Sequence, residues 1–392
     1  MQSQSSTDVI VIGAGIQGVG VAQALAAAGR RVILLESHSP AAGTSSRSSK
    51  LIHGGLRYLE TMQFGLVFES LAERATLLRI APHLVRLVPF HIPVYRSTSR
   101  RPRTIRAGLS LYALLGKLRQ DTRFSTIPKQ AWPLLDGLRT DGLQAVFRYH
   151  DGQTDDAALC RAVLASAKEL GAICQLETEM VAARRETDHW VVSYRDGSEV
   201  KEHTAKALVN ATGPWAHSVL DRIRPTQLGP EIDLVAGTHI ELSGCPEQGI
   251  YYTENPTDQR AVFSMPWHGH TLVGTTEQPY KGDPRAIAPT PEEIQYLLDT
   301  QRHYFPAWDG EVLDSWAGLR VLPRGTGRAF NRTREVTLAC DDAAKPSLIT
   351  LYGGKLTGYR ATAEKVERRL RPTLGKLERV ADTRTLRLPE LS

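Results

Sequence analysis

Residues 44–60 concentrate side chains that can bind anions and move protons. The stretch reads TSSRSSKLIHGGLRYLE and holds six hydroxyl groups, a lysine, a histidine, two arginines and a glycine pair. Hydroxyls and amides suit phosphate, glycines permit close backbone approach to a ligand, and His53 can exchange a proton near neutral pH. We therefore expect this stretch to form the floor under a cofactor, with a catalytic edge.

A glycine-rich turn upstream predicts a dinucleotide site. The apolar run 9–12 is typical of a strand buried on both faces, and it leads into GxGxxG and an alanine-rich helix that ends at Gly29. A second strand, 32–35, completes a βαβ unit and places Glu36 where an acid accepts a ribose hydroxyl. The expected cofactor contacts are Gly13, Ala14, Gly15, Ile16, Gln17, Gly18 and Glu36. The motif leaves NAD and FAD open, whereas Glu36 disfavours NADP.

Two later strand-to-turn junctions have a similar layout. A strand at 207–209 enters Ala211-Thr212-Gly213, and a strand at 347–352 enters Gly353-Gly354-Lys355 and then a basic helix. Helices are predicted at 64–80, 157–170 and 291–304, and strands at 172–176, 180–184 and 190–194. The alternating pattern of residues 234–276 predicts an antiparallel sheet. We therefore expect an α/β fold in which a Rossmann-like domain is interleaved with an antiparallel-sheet domain.

Composition indicates a globular enzyme of 392 residues with 41% hydrophobic and 23% charged residues. Four widely separated cysteines form no CxxC pair, which predicts buried free thiols in a reducing compartment. We expect neither a secretory signal nor a transmembrane segment. His268-Gly269-His270 lies between two predicted strands and is interpreted as a hairpin turn, so we expect no metal site.

A basic stretch leaves two interpretations open. Residues 96–106 carry five arginines, and an apolar run, 107–116, then leads to Lys117 and Arg119. These residues form either a solvated loop with a packed helix or a basic and apolar patch on an anionic membrane surface. Nucleic acid is not expected, because no aromatic residues interleave the basic ones.

Taken together, these motifs resemble the FAD-dependent glycerol-3-phosphate dehydrogenases of the D-amino-acid-oxidase-like group. The resemblance runs from about residue 8 to 360, and SKLIHGGLRYLE at 49–60 is its most specific part. It implies FAD, oxidation of sn-glycerol 3-phosphate to dihydroxyacetone phosphate, and a quinone acceptor at the membrane. The protein would be cytoplasmic, peripheral on the inner face of the cytoplasmic membrane. We do not expect the family's usual helical C-terminal domain in this sequence.

The resemblance divides the chain into two interleaved domains. The FAD-binding domain would comprise residues 1–80, 145–225 and 340–392, and the substrate-binding domain 81–144 and 226–339. The resemblance also implies further cofactor contacts, namely Thr44, Ser45, Ser46, Ser49, Lys50, Leu51, Val181, Ala211, Thr212, Gly213, Gly354, Lys355, Leu356 and Thr357.

Oxidising a secondary alcohol requires a clamp for the anionic end, a proton acceptor and stabilisation of the oxygen. Arg57 is the first clamp candidate because a guanidinium binds phosphate through two hydrogen bonds, and Tyr58 can add a phenol donor. His53 is the candidate base. The other expected substrate-facing residues are His239, Arg320 and Arg334, which match family positions, and Lys355, which can also stabilise reduced flavin.

Two other functions stay open. Three arginines and a lysine would equally suit a flavin oxidase or dehydrogenase of another small anion, such as a 2-hydroxy acid or an amino acid. The chain could also be a non-catalytic FAD-binding subunit. Oligomeric state and the electron acceptor are not decided by these residues.

Overall fold

A computed structural model describes residues 6–59, 62–325 and 335–391, without the side chain of Arg57. Within these ranges the α-helices are α1 (Ile16–Ala27), α2 (Phe64–Ile80), α3 (Pro102–Leu115), α4 (Asp156–Glu169), α5 (Ala216–Leu220), α6 (Pro291–Tyr304) and α7 (Tyr359–Leu374). The strands are β1 (Ser6–Ile12), β2 (Val32–Leu35), β3 (Leu51–Ile52), β4 (Val85–Tyr95), β5 (Ser125–Thr126), β6 (Leu143–Thr154), β7 (Ile173–Gln175), β8 (Thr178–Arg185), β9 (Trp190–Asp196), β10 (Glu199–Asn210), β11 (Ile223–Arg224), β12 (Ile232–Leu242), β13 (Ile250–Glu254), β14 (Ala261–Trp267), β15 (His270–Gly274), β16 (Gln278–Tyr280), β17 (Val312–Pro323), β18 (Thr337–Cys340) and β19 (Leu348–Tyr352).

The first sheet carries the predicted nucleotide turns. Its strand order is β11-β8-β9-β10-β1-β2-β7, with β19 also paired to β10 and β18 to β19. Strand β1 lies parallel to both β2 and β10, and β10 lies parallel to β19. Because parallel strands end at the same edge of a sheet, the turns after β1, β10 and β19 come together there. The sheet confirms the predicted Rossmann-like fold.

The second sheet is largely antiparallel, as predicted. Its order is β16-β12-β15-β14-β13-β4-β6-β3, with β17 also paired to β12 and β5 to β6. The short strand β3 pairs with Gly152 and Gln153 of β6, so the segment after the cofactor floor belongs to this sheet. Strand β18 belongs to the first sheet. The domain boundaries given above remain a prediction.

Several local predictions meet the structure directly. Helices α2 and α6 have the predicted bounds, and His268-Gly269 forms the turn of the β14–β15 hairpin with positive φ values of 48° and 83°. Most of the apolar run 107–116 lies in helix α3, which begins at Pro102 because proline fits the first helical position, where no N–H partner is required.

The prediction that all four thiols are buried is wrong for Cys245, which is exposed in the turn after β12. Cys160 is buried, and Cys174 and Cys340 are half-buried. No helix among the described residues is both long and apolar enough to cross a membrane.

A buried polar network holds the segment around Gly54. The fully buried Arg74 donates to Asp151 at 2.7 Å and to Asp121 at 2.6 Å. Asp151 also accepts from the Tyr112 hydroxyl at 3.0 Å and from the Gly54 N–H at 3.2 Å. A Cβ at Gly54 would lie 2.2 Å from the Tyr112 hydroxyl, so only glycine fits at that position.

We predict that Arg74→Leu lowers the free energy of unfolding by about 3–5 kcal/mol, because the substitution leaves the Asp151 carboxylate buried without its partner. Urea unfolding measures the loss. Arg184→Leu is the control, since its partners Glu186 and Glu202 are exposed, and it should change stability by less than about 1 kcal/mol. Equal losses in the two variants would contradict the role of the network.

Candidate active site

The two sheets enclose a cavity of about 640 Å³, within the usual range of ligand sites. Most of the predicted site residues line it, from both sheets and from the 44–58 segment. These lining residues are Gly13, Gly15, Ile16, Gln17, Glu36, Thr44, Ser45, Ser49, Leu51, His53, Tyr58, Ala211, Thr212, Gly213, His239, Arg320, Gly354, Lys355, Leu356 and Thr357. The structure therefore brings together turns that are more than 300 residues apart in the sequence.

At one end of the cavity the chain leaves no room for side chains. A Cβ at Gly18 would lie 1.8 Å from the Gly13 carbonyl oxygen, and a Cβ at Gly13, where φ is +100°, would lie 2.9 Å from the Ala211 carbonyl oxygen. Gly15 forms the N-cap of α1 without a side-chain cap, and Ser45 Oγ accepts from the Ile16 N–H at 2.9 Å. This glycine cradle places a helix N-terminus at the cavity wall, where it suits a pyrophosphate.

Polar atoms next to the cradle also fit a nucleotide. The Glu36 carboxylate accepts from the Ala14 N–H at 2.7 Å and lines the cavity, as expected of a ribose-binding acid. Among the described residues, Gln17 Oε1 and Trp215 Nε1 are buried without a hydrogen-bond partner, and both residues line the cavity. A buried polar atom without a partner is costly unless a ligand completes it.

Five predicted cofactor contacts do not line the cavity: Ala14, Gly18, Ser46, Lys50 and Val181. The Lys50 ammonium is buried and donates to Asp156 at 2.6 Å and to the Ser46 carbonyl at 2.6 Å. In β8 the cavity is lined by Met180, next to Val181. Cofactor contacts by these five residues remain predictions.

His239 is held firmly on β12. Its Nε2 lies 3.0 Å from Ser49 Oγ, and its ring stacks on Trp316 with a centroid distance of 6.0 Å. Burial, together with the positive charges of Arg320 and Lys50, lowers the pKa of His239 to about 3. His239 is therefore neutral at physiological pH and is a weak proton acceptor.

Arg320 is surrounded by residues that sequence reasoning missed. Its Nη2 donates to Thr275 Oγ1 at 3.1 Å, and its Nη1 lies 3.9 Å from Glu277 Oε1. Glu277 also pairs with Arg260 at 3.3 Å, and Thr275, Glu277 and Arg260 all line the cavity. No motif marks these residues; the one local signal is the polar run Thr275-Thr276-Glu277 directly after a strand.

His53, Tyr58 and Lys355 also line the cavity. The Lys355 ammonium lies 4.0 Å above the centre of the Tyr58 ring, a cation–π contact that joins the turn after β19 to the 44–58 segment. His53 is half-buried beside Gly54. Arg57 lies in a 3₁₀ helix, Leu56–Leu59, but its side chain, like Arg334, falls outside the described residues. The role of Arg57 as a phosphate clamp and that of Arg334 as a substrate-facing residue remain predictions.

A Rossmann-like sheet whose glycine cradle shares one cavity with histidines and arginines defines a dinucleotide-binding oxidoreductase site. A family model described as FAD dependent oxidoreductase matches residues 8–360. The glycerol-3-phosphate dehydrogenase of Pseudomonas aeruginosa is 39% identical over 385 residues, covering 94% of this chain and 72% of the relative. The D-erythritol 1-phosphate dehydrogenase of Brucella abortus is 36% identical over 382 residues, covering 95% of this chain and 75% of the relative.

Solved structures agree with these relatives. The glycerol-3-phosphate dehydrogenase of Bacillus halodurans complexed with FAD superposes with a TM-score of 0.75 at 26% identity, covering 98% of this chain and 68% of the other. The chain therefore belongs to the FAD-dependent oxidoreductases, in the glycerol-3-phosphate dehydrogenase family. It is an enzyme and its cofactor is FAD, which confirms the resemblance identified from the motifs.

The low pKa of His239 predicts a specific pH dependence of stability. The unfolded chain protonates this group near pH 6.5, whereas the folded protein keeps it neutral down to about pH 3. The unfolded state therefore binds more protons in this window, and the contribution of His239 to stability is lost as pH falls through it.

We expect the drop in Tm between about pH 7.5 and 5.5 to be smaller in His239→Asn than in the wild-type protein. Thermal unfolding of both proteins with FAD bound measures the difference. His91, whose pKa burial lowers to about 4, is present in both proteins and cancels. Parallel Tm profiles would mean that His239 has the same pKa in the folded protein as in the unfolded chain.

Proposed function

We propose that this enzyme oxidises sn-glycerol 3-phosphate to dihydroxyacetone phosphate, with hydride transfer from C2 to flavin N5. One observation carries the proposal: the glycine cradle and the wall formed by His53, His239, Arg320 and Lys355 line the same cavity. Relatives named for phosphorylated polyols support it. A small anion with a secondary alcohol fits this combination of cations and proton-accepting groups.

FAD, when bound, supplies the hydride acceptor; the residues suited to hold it are those of the cradle, Glu36 and the turns at 211–213 and 354–357. The protein's own groups then orient the alcohol and manage its proton and charge. His53 is the proposed proton acceptor, because the buried and neutral His239 has too low a pKa to compete. Arg320 and Lys355 would stabilise negative charge that develops on the substrate oxygen.

A flavin enzyme for a 2-hydroxy acid or an amino acid is the competing function. Arginines recognise carboxylate as readily as phosphate. Several enzymes of amino acids also share the fold at under 25% identity. One is glycine oxidase of Geobacillus kaustophilus, with a TM-score of 0.71, covering 99% of this chain and 100% of the other. The relatives above 30% identity named here favour the phosphorylated polyol. A non-catalytic subunit is not favoured, because the chain belongs to a family of enzymes.

We predict that glycerol 3-phosphate bleaches the bound flavin under anaerobic conditions, and that Arg320→Met slows this reduction by about 100-fold with FAD retained, because it removes the charge beside the developing alkoxide. Stopped-flow absorbance of the flavin measures both. Arg324→Met is the matched control: Arg324 lies just beyond the end of the same strand, pairs with the exposed Glu231, and should react at the wild-type rate.

Absence of bleaching in FAD-loaded wild-type protein would eliminate glycerol 3-phosphate as the substrate. Bleaching by 2-hydroxy acids or amino acids instead would establish the competing function.

We further propose that electrons leave to a quinone-type acceptor and that a patch on α2 and α3 contacts an anionic membrane. The patch comprises Phe68, Leu114, Lys117 and Leu118, all exposed, with the Lys117 ammonium 5.8 Å from the centre of the Phe68 ring. Exposed apolar groups next to a cation suit the headgroup region of such a surface. Two arginines of the 96–119 stretch form ion pairs within the protein, Arg100 with Glu254 and Arg119 with Asp121. The proposed membrane contact therefore depends more on the exposed apolar residues of the patch than on the number of arginines.

The double variant Leu114→Asn/Lys117→Glu is expected to weaken co-sedimentation with phosphatidylglycerol vesicles by about tenfold, since it removes one apolar anchor and reverses one charge. The control Val380→Asn/Lys376→Glu makes the same changes at another exposed site. Wild-type protein that stays in the supernatant, or two double variants that bind alike, would remove the basis of this contact.

A further inference from the structure

Glu277 places a carboxylate among the cations of the cavity wall. It follows β15 in the sequence, and its side chain is only 6% exposed although it lines the cavity. Its two oxygens face different arginines: Oε2 lies 3.3 Å from Arg260 Nη2, and Oε1 lies 3.9 Å from Arg320 Nη1. Arg260 also donates to the Glu277 backbone carbonyl at 2.8 Å.

Arg260 has a second carboxylate neighbour, Asp258, so Glu277 is not needed to balance the charge of Arg260. Asp258 lies 3.8 Å from Arg260 Nε and accepts from the Arg260 backbone N–H at 3.0 Å, outside the cavity lining. A second carboxylate that faces the cavity weakens the attraction for any anion bound there. The position of Glu277 at the cavity therefore favours an interaction with a bound ligand over neutralisation of Arg260.

Glu277 places a carboxylate acceptor between the donors of Arg260 and Arg320. Guanidinium groups only donate, and an ionised carboxylate only accepts. A ligand hydroxyl can donate to Glu277 while its own oxygen accepts from Arg320. A ligand carboxylate at the same place has no proton to donate and meets a like charge in a partly dry site, which disfavours binding.

We propose that Glu277 selects the uncharged, hydroxyl-bearing end of a small polyol phosphate and excludes ligands that carry a carboxylate at that end. This inference rests on the proposed function, from which the ligand has a phosphate group at its other end. It identifies Glu277 as a specificity-determining residue that separates phosphorylated polyols from phosphorylated hydroxy acids.

Two matched ligands without a C2 hydroxyl test the selection in the FAD-loaded enzyme. These are 3-hydroxypropyl phosphate and 2-carboxyethyl phosphate, whose binding is followed by perturbation of the flavin absorbance. We expect the wild-type protein to bind the hydroxyl ligand at least about tenfold more tightly, the range of a hydrogen bond to a charged group. In Glu277→Gln the ratio should fall toward one, because an amide can also donate to a carboxylate. Asp258→Asn, which alters the other acid beside Arg260, should keep the wild-type ratio.

Three results would overturn the inference: a wild-type protein that binds the two ligands equally or binds neither, an unchanged ratio in Glu277→Gln, or the same fall in Asp258→Asn. Its failure is separable from that of the proposed function. If glycerol 3-phosphate does not bleach the flavin but the ratio and its response to Glu277→Gln are as expected, the selection stands and the substrate assignment falls.

Discussion

The buried ion pair between Lys50 and Asp156 fixes the segment on which both halves of the site depend. Lys50 Nζ lies 2.6 Å from Asp156 Oδ1, and both side chains are almost fully buried. Asp156 stands at the start of α4 and also accepts from the Ser48 N–H at 2.9 Å. Breaking one side of such a pair leaves a buried charge, at a cost of about 3–5 kcal/mol. The conformation of residues 46–50 is therefore tightly determined, including the positive φ of 58° at Lys50.

From this anchor the segment contacts the N-terminus of α1 and strands of the second sheet. Ser45 accepts from the N-terminus of α1, Thr44 Oγ1 donates to the Leu319 carbonyl at 2.9 Å, and Arg47 donates to the Ala317 carbonyl at 3.3 Å. Ser49 contacts His239, and β3 joins the second sheet. A small displacement of this segment would move the cofactor cradle and the substrate wall together, so the floor also sets the alignment of the two sheets.

Sequence analysis correctly predicted the features that depend on interactions between residues close together in the chain. The apolar run of β1, the glycine spacing and the acid at Glu36 each have a short-range cause, and both the parallel sheet and the cavity around GxGxxG follow from them. Sequence analysis missed interactions between side chains that are far apart in the sequence. Asp156 stands at the start of α4, and nothing local in the sequence indicates its pairing with Lys50. The family resemblance predicts Lys50 as a cofactor contact, whereas in the structure its buried ammonium pairs with Asp156 of α4. Glu277 carries no motif and became visible only beside Arg320.

The charge distribution of the cavity accounts for the division of labour between its histidines. The positive charges of Arg320 and Lys50 lower the pKa of His239, and Arg320, which lines the cavity, also favours an anionic ligand there. A histidine buried in that potential stays neutral, so it can hold a hydrogen-bonding position but is a weak base. His53, half-buried beside the glycine pair, keeps more contact with solvent. Burial lowers the pKa of His239, so we propose different roles for the two histidines. In the proposed mechanism, different groups accept the proton and stabilise the negative charge of the substrate, so that a cation-rich site binds an anion and retains its base.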